Sequence, residues 1–183
     1  MTEITDANIV ILATDGYERS ELRVPLEKLR ERGATVKSAS PKSGTIKSWD
    51  DGDWGDSVDV DLTLQEIALD DTHALVLPGG QINPDKLRAD EDAIGVVRAC
   101  LKSVKIVAAI CHAPWLLIEA DAVRGRKVTS YGSIKTDLKN AGGHWVDEAV
   151  IADQGIITSR SPDDLDAFVD KIVEEVGEGR HPR

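Results

Sequence analysis

Three short segments of this sequence carry residues that could perform nucleophilic chemistry, and each follows an apolar run typical of a buried strand. In the third segment, Cys111 is flanked two positions away on each side by Ala109 and Ala113. Small residues at these positions are typical of a nucleophile elbow, a sharp strand-to-helix turn that projects a nucleophile above a sheet. The pattern predicts Cys111 as a nucleophile, with a small buried hydrophobe as the alternative. The segments are Asp15-Gly16-Tyr17-Glu18, Pro78-Gly79-Gly80 and Cys111-His112-Ala113-Pro114.

Backbone groups around this cysteine could stabilise negative charge. A cysteine in an elbow lies at a helix N-terminus, where the dipole and the free amides favour the thiolate. We therefore predict that the pKa of the Cys111 thiol lies below that of free cysteine. The amide of His112 is one predicted oxyanion donor, and that of Gly80 is the second, because paired glycines let backbone amides turn towards a bound oxygen.

Glu18 is the predicted acid partner of the thiol. A carboxyl group at the end of the first strand, beside a thiol and partly desolvated, should have a raised pKa and could share a proton with it. The alternative is an exposed loop acid or an acid in the first turn of a helix. The direction of the His112 ring stays open, since this residue could lie on a helix surface or act as a base.

The other cysteine and histidines show no spacing typical of a metal site. Cys100 falls on the apolar face of a predicted helix at 91–102 and is interpreted as core. His73, His144 and His181 are interpreted as structural. We predict no metal and no cofactor.

The elements that must position these residues alternate between strand and helix. Near-continuous apolar runs at 7–13, 73–77 and 105–110 predict strands buried on both faces. Helices are predicted from Ser20 to Gly33, at 91–102 and at 112–120, and the last helix should begin at Ser161-Pro162. This order predicts an α/β fold, a flavodoxin-like three-layer α/β/α sandwich with a mostly parallel sheet. Ligands bind at the carboxyl ends of such strands, where all three segments lie.

Length and charge exclude several classes of protein. The chain has 183 residues, which favours a single domain, with a core at about 7–176. It has 22 basic and 33 acidic residues, for a net charge of −11, so nucleic-acid and anionic-membrane binding are disfavoured. Apolar runs are too short for a membrane span. With two cysteines and an acidic start, a reducing cytoplasm is the predicted location.

Residues 50–72 hold nine acidic residues and no Lys or Arg. Counting Asp51 as position 1 of a calcium loop puts Leu62 where a Glu is needed, so that interpretation fails. We predict an acidic hairpin insertion at about 44–62, solvated or covering a pocket or partner surface with Trp49 and Trp54.

Six ordered segments resemble the PfpI branch of the superfamily that includes the intracellular protease PfpI, ThiJ-like proteins and the parkinsonism-associated deglycase. They extend from about residue 8 to 172 and are DGYERSEL, GTIKSW with VDVDLT, ALVLPGG, VAAICHAPWLLIEA, TSYGSIKTDLKNAGGHWVD and IITSRSPDDLDAF. The resemblance implies that the whole chain, 1–183, is one PfpI-like domain.

The resemblance also implies a site. Cys111 would be the nucleophile, Glu18 its protonated partner, and the Gly80 and His112 amides the oxyanion donors. In the protease branch, the histidine after the cysteine forms a triad with an acid from a neighbouring subunit, and Asp85 matches that acid here. The family forms dimers, some assembled into hexamers, so a homodimer or a hexamer is expected.

Three functions follow from these residues together with the resemblance. The favoured one is a stress-protection enzyme of the glyoxalase or protein deglycase type that acts on reactive carbonyls. The second is an intracellular cysteine peptidase, and the third is a non-enzymatic protein whose Cys111 is oxidised under stress. Glutamine amidotransferases share the elbow but use a late His-x-Glu pair, and residues 145–180 contain no histidine.

Overall fold

Strands and helices alternate along the chain in the computed structural model, which describes residues 2–179. The strands are β1 (Asn8–Leu12), β2 (Tyr17–Glu18), β3 (Thr35–Ser40), β4 (Thr45–Asp50), β5 (Asp53–Asp59), β6 (Leu62–Thr63), β7 (Ala74–Leu77), β8 (Ile106–Ile110), β9 (Lys127–Val128), β10 (His144–Trp145), β11 (Val150–Asp153) and β12 (Ile156–Ser159). The α-helices are α1 (Arg19–Glu31), α2 (Ile82–Arg88), α3 (Glu91–Lys102), α4 (Pro114–Glu119), α5 (Lys135–Asn140) and α6 (Leu165–Glu178).

A seven-stranded sheet in the order β11-β12-β8-β7-β1-β3-β6 forms the centre of the protein. Its pairings are parallel except for the edge pair β11-β12, which is antiparallel. Every residue of β7 and β8 is buried, as expected for strands covered on both faces. Because β8, β7 and β1 are adjacent, the three segments that follow them meet at one edge of the sheet.

Helices cover the sheet in two layers, each with its own apolar cluster. On one face, α1 and α6 contribute Leu22, Leu26, Leu29, Phe168, Val169 and Ile172. On the other face, α2 to α5 contribute Leu87, Ile94, Val97, Cys100, Leu116, Leu117 and Leu138. The predicted flavodoxin-like three-layer α/β/α sandwich is therefore confirmed, and Cys100 lies in the core.

Most predicted elements lie where the apolar periodicity indicated. The helix predicted at 91–102 is α3 (Glu91–Lys102), and the strand predicted at 105–110 is β8 (Ile106–Ile110). The apolar periodicity did not predict α2, a seven-residue helix that begins two residues after Gly80, because it is short and its buried face includes the polar Asn83. The last helix begins later than predicted, since Pro162–Asp164 forms a 3-10 turn before α6.

The acidic segment packs against the basic face of α1. Strands β4 and β5 form an antiparallel hairpin, and β2 pairs with β4. Arg23 lies 2.6 Å from Asp56, and Arg19 lies 3.2 Å from the same carboxylate. Trp49 and Trp54 contact each other edge to face on the hairpin, and Trp54 is 43% exposed. These ion pairs orient the hairpin beside the start of α1, the helix that enters the site.

The described histidines outside the site have local contacts. The His73 Nδ1 atom accepts a hydrogen bond from the Asn8 amide at 3.0 Å, and His144 begins β10. His181 lies outside the described residues. No helix within 2–179 combines the length and apolar character that crossing a membrane requires.

Candidate active site

Cys111 occupies a sharp turn between β8 and α4. Its φ angle is +64°, a conformation that residues other than glycine rarely adopt. The Cys111 amide donates to the Ser159 carbonyl at 3.0 Å, and the Tyr131 amide donates to the Cys111 carbonyl at 2.9 Å. Ala109 and Ala113 are fully buried beside the turn. Because neighbouring segments hold both backbone groups of Cys111, the strained turn persists and directs the side chain above the sheet edge.

The carboxyl group beside this thiol belongs to Glu21, in the first turn of α1. Glu21 is completely buried, and its Oε2 atom accepts the Gly79 amide at 2.7 Å. A Cβ atom placed on Gly79 would lie 2.5 Å from Glu21 Oε2 and 2.7 Å from Cys111 Cβ. Glu21 and Cys111 therefore pack closely on either side of residue 79, where only the hydrogen atom of a glycine fits.

The prediction that Glu18 is the acid partner is wrong. Glu18 is the N-cap of α1, and its Oε2 atom accepts from the Glu21 amide at 2.8 Å and from the Ser20 hydroxyl at 2.6 Å. Its side chain thus satisfies one free backbone amide of the helix end, as N-cap acceptors commonly do. Capping by Glu18 places Glu21 on the inner face of the helix. A signal for Glu21 was available, because it lies one and two turns before the buried Pro25 and Leu29.

Burial sets the protonation of the pair. Burial and the negative charge of Glu18 raise the pKa of Glu21 to about 8. Burial and the negative charge of an ionised Glu21 raise the pKa of the Cys111 thiol, although the Gly80 and His112 amides oppose this. The predicted lowering of the thiol pKa is therefore wrong, since desolvation outweighs the short helix α4. At neutral pH both groups hold their protons, and they titrate as a coupled pair.

The two predicted oxyanion donors influence the thiol electrostatically, and their role as oxyanion donors stays a prediction. The amides of Gly80 and His112 lower the pKa of Cys111 against the effect of burial, and the Gly80 amide acts on Glu21 in the same direction. Gly80 has a φ of +80°, and a Cβ atom there would lie 2.6 Å from the Gly16 carbonyl oxygen. The turn after β7 thus requires glycine, and it directs an amide into the space above the thiol.

His112 faces the thiol rather than solvent. Its Nδ1 atom lies 3.1 Å from Cys111 Sγ, and its Nε2 atom lies 3.0 Å from Ser133 Oγ. The ring stacks on Tyr131 at 4.8 Å and meets Trp115 edge to face at 5.3 Å. Burial lowers the pKa of His112, so its imidazole is neutral at pH 7 and can accept a proton. Sequence reasoning missed Ser133, because no spacing rule joins it to a histidine 21 positions earlier.

Asp85 stands apart from this group within one chain. It is exposed in the first turn of α2, and its amide donates to the Gln81 carbonyl at 3.3 Å. The described partner of His112 Nε2 is Ser133, not Asp85. A contact between Asp85 and the histidine of a second copy stays a prediction. Among residues 2–179, no group of three His, Cys, Asp or Glu side chains is placed to hold a metal ion.

The raised pKa of Glu21 predicts how stability depends on pH. Between the unfolded value of 4.5 and the folded value of about 8, the folded state binds the extra proton, so this group's contribution to stability is lost as pH rises. Each pKa unit corresponds to about 1.4 kcal/mol. We expect urea unfolding to show Glu21→Gln gaining stability relative to the unmodified protein from pH 4.5 to 8. A constant difference across this range would contradict the assignment, and Glu27→Gln, at an exposed position of the same helix, serves as the control.

The amino-acid sequence of this chain is similar to those of several known proteins. A model of the DJ-1/PfpI family matches residues 7–175. The protein named Deglycase PfpI of Pyrococcus furiosus is 41% identical over 165 residues, which cover 90% of this chain and 96% of that protein. The protein named Putative cysteine protease YraA of Bacillus subtilis is 38% identical over 160 residues, covering 87% and 92% of the two chains.

The fold also matches a solved structure from Anabaena variabilis. That protein contains DJ-1/ThiJ/PfpI-like and ferritin-like domains, and it aligns with a TM-score of 0.88 at 33% identity. The alignment covers 93% of this chain and 48% of the two-domain chain.

Proposed function

The chain belongs to the DJ-1/PfpI family of enzymes, and we propose that it is a cysteine-dependent enzyme that adds Cys111 to reactive carbonyl compounds. The substrates of this proposal are α-oxoaldehydes and their early adducts, as in glyoxalases and protein deglycases. The observation that carries it is the group around one sulfur atom: a buried carboxyl group, a neutral imidazole at 3.1 Å and two backbone amides. Its relative named Deglycase PfpI adds support.

The first step would be addition of the thiol to the aldehyde. A bond forms between Cys111 sulfur and the aldehyde carbon while the thiol proton passes to His112 Nδ1. The carbonyl oxygen takes a proton from Glu21, which its pKa of about 8 keeps protonated at neutral pH. The Gly80 and His112 amides stabilise charge on that oxygen as it develops. The product is a hemithioacetal, and its formation changes no oxidation state.

The later steps need no external oxidant or reductant. For methylglyoxal, moving hydrogen from the aldehyde carbon to the neighbouring ketone carbon oxidises the first and reduces the second, which gives a thioester. The proton acceptor within reach is the Glu21 carboxylate formed in the first step, and His112, which then holds the thiol proton, can protonate the ketone oxygen. Water then cleaves the thioester to lactate and restores the thiol. The balance is methylglyoxal plus water to lactate.

A second candidate is a cysteine peptidase. The contact between His112 Nδ1 and Cys111 Sγ favours it, as does the name of the Bacillus subtilis relative. Peptide hydrolysis must also protonate a leaving amine, a role that would fall to His112 with Asp85 of a second copy. The proposed assembly is accordingly a homodimer or a hexamer. In that case Asp85→Asn would reduce peptidase activity and spare carbonyl addition.

We place the enzyme in the cytoplasm, without nucleic-acid or membrane partners. Both cysteines are buried thiols, which suits a reducing compartment. The net charge of −11 repels phosphate backbones and anionic lipid surfaces.

The test is methylglyoxal consumption with product identification, using the purified protein and Cys111→Ser. We expect the protein to form lactate and the variant to lose this activity, because serine is a far weaker nucleophile at neutral pH. Cys100→Ser is the matched control, since Cys100 is buried in α3 away from the site. Equal consumption by the protein and Cys111→Ser would contradict the proposal.

A further inference from the structure

Ser133 contacts the His112 ring on the side opposite Cys111. It belongs to a 3-10 turn, Gly132–Ile134, whose preceding residue Tyr131 donates its amide to the Cys111 carbonyl at 2.9 Å. The turn is thereby tied to the elbow itself. Its hydroxyl oxygen lies 3.0 Å from His112 Nε2, on the opposite side of the ring from the sulfur atom.

This contact allows the proton of a neutral imidazole to reside on Nε2, because a serine hydroxyl oxygen can accept as well as donate. A neutral ring has one N–H group and one bare nitrogen, and only the bare nitrogen can accept a proton. A protonated Cys111 thiol can donate to Nδ1 only if Nδ1 is bare. The ring proton must then reside on Nε2, where Ser133 Oγ can accept it. The two contacts therefore support each other in one arrangement of protons.

Packing opposes a 180° flip of the His112 ring, which would put Cδ2 in place of Nδ1 at the sulfur atom. Tyr131 stacks on one face with an interplanar angle of 25°, and Trp115 meets the ring at 65°. Trp115 is itself held, because its indole N–H donates to Asp137 Oδ2 at 2.8 Å. The orientation of His112 is thus fixed by packing, and the choice of tautomer is left to its hydrogen-bond partners.

We propose that Ser133 is a positioning residue that holds the proton of His112 on Nε2, so that Nδ1 faces Cys111 as a base. The inference rests on the proposed role of Cys111 as a nucleophile. It assigns the third member of the cysteine–histidine relay to the same chain, so thiol activation does not require an acid from a second subunit.

Nitrogen-15 NMR of histidine-labelled protein tests the tautomer directly. We expect the His112 signals, identified by their loss in His112→Asn, to show a bare Nδ1 and a protonated Nε2. In Ser133→Ala the population should shift towards the Nδ1–H form by about threefold to tenfold, as for the loss of one hydrogen bond. Ser133→Thr keeps the hydroxyl and should restore the original spectrum. A dominant Nδ1–H form in the unmodified protein would overturn the proposal.

Alkylation of Cys111 by iodoacetamide gives a second readout that needs no carbonyl substrate. We expect Ser133→Ala to react about threefold to tenfold more slowly at neutral pH, following the loss of the Nδ1 acceptor. Ser133→Thr and the control Ser103→Ala should react at the original rate, since Ser103 is exposed beyond α3 at the opposite sheet edge. Equal rates for Ser133→Ala and the unmodified protein would overturn the assignment. Failed methylglyoxal turnover with an altered alkylation rate would refute only the proposed function.

Discussion

Replacing Glu21 with Gln is expected to lower methylglyoxal turnover by about 100- to 10,000-fold, the usual range for losing a general acid. Gln keeps the size of the side chain and an oxygen atom that can accept the Gly79 amide. It cannot supply a proton to the carbonyl oxygen. The loss should therefore appear in kcat more than in KM, because the proton is needed only as the bond to sulfur forms.

Glu18→Gln is the matched control for that experiment. Glu18 lies three residues earlier and caps α1 through Oε2, and Gln retains an oxygen for this role. We expect it to keep most of the activity, with a lowered pKa for Glu21 because one negative charge is removed. Equal losses in the two variants would contradict the assignment of Glu21, and a loss in Glu18→Gln alone would restore the original prediction for Glu18.

The second large effect is expected at Gly79. A methyl group there would lie 2.5 Å from Glu21 Oε2, 2.7 Å from Cys111 Cβ and 2.8 Å from the Ile110 carbonyl oxygen. Gly79→Ala should lower the free energy of unfolding by about 1–3 kcal/mol, as for overpacking a core. It should also abolish most methylglyoxal turnover, because Glu21 and Cys111 would be forced apart.

The matched control is Gly95→Ala in α3. A Cβ atom at Gly95 meets nothing within 4 Å, so Ala should raise the free energy of unfolding by about 0.5–1 kcal/mol through its higher helix propensity. Urea unfolding and methylglyoxal turnover of the two variants provide the comparison. A Gly79→Ala protein with unchanged stability and activity would show that Glu21 and Cys111 are not held together by this close packing.

The sequence was sufficient to predict the framework of the site. Apolar runs predicted β1, β7 and β8, and parallel topology required their carboxyl ends to meet. The elbow at Cys111 and the glycine turn before α2 followed from local backbone rules, because small residues and positive φ angles leave a mark in sequence.

What could not be predicted depends on side-chain direction and burial. Glu18 and Glu21 differ by less than one helical turn, and the choice between them required knowing that Glu18 caps α1. The direction of the thiol pKa shift required the burial of Cys111 and its contact with a carboxyl group. Ser133 reaches His112 through tertiary contact alone, which no spacing pattern encodes.

The central claim is that Cys111 sulfur bonds to the substrate carbonyl carbon while Glu21 supplies the proton. Carbon-13 NMR of methylglyoxal labelled at its aldehyde carbon, with protein in stoichiometric amount, tests it most directly. In the unmodified protein we predict a protein-bound signal from a carbon joined to both sulfur and oxygen, which forms far more slowly in Glu21→Gln and is absent from the Cys111→Ser protein. Consumption of the label in the unmodified protein with no sulfur-bound carbon, the same bound signal in Cys111→Ser, or an unchanged rate of its formation in Glu21→Gln would contradict the account.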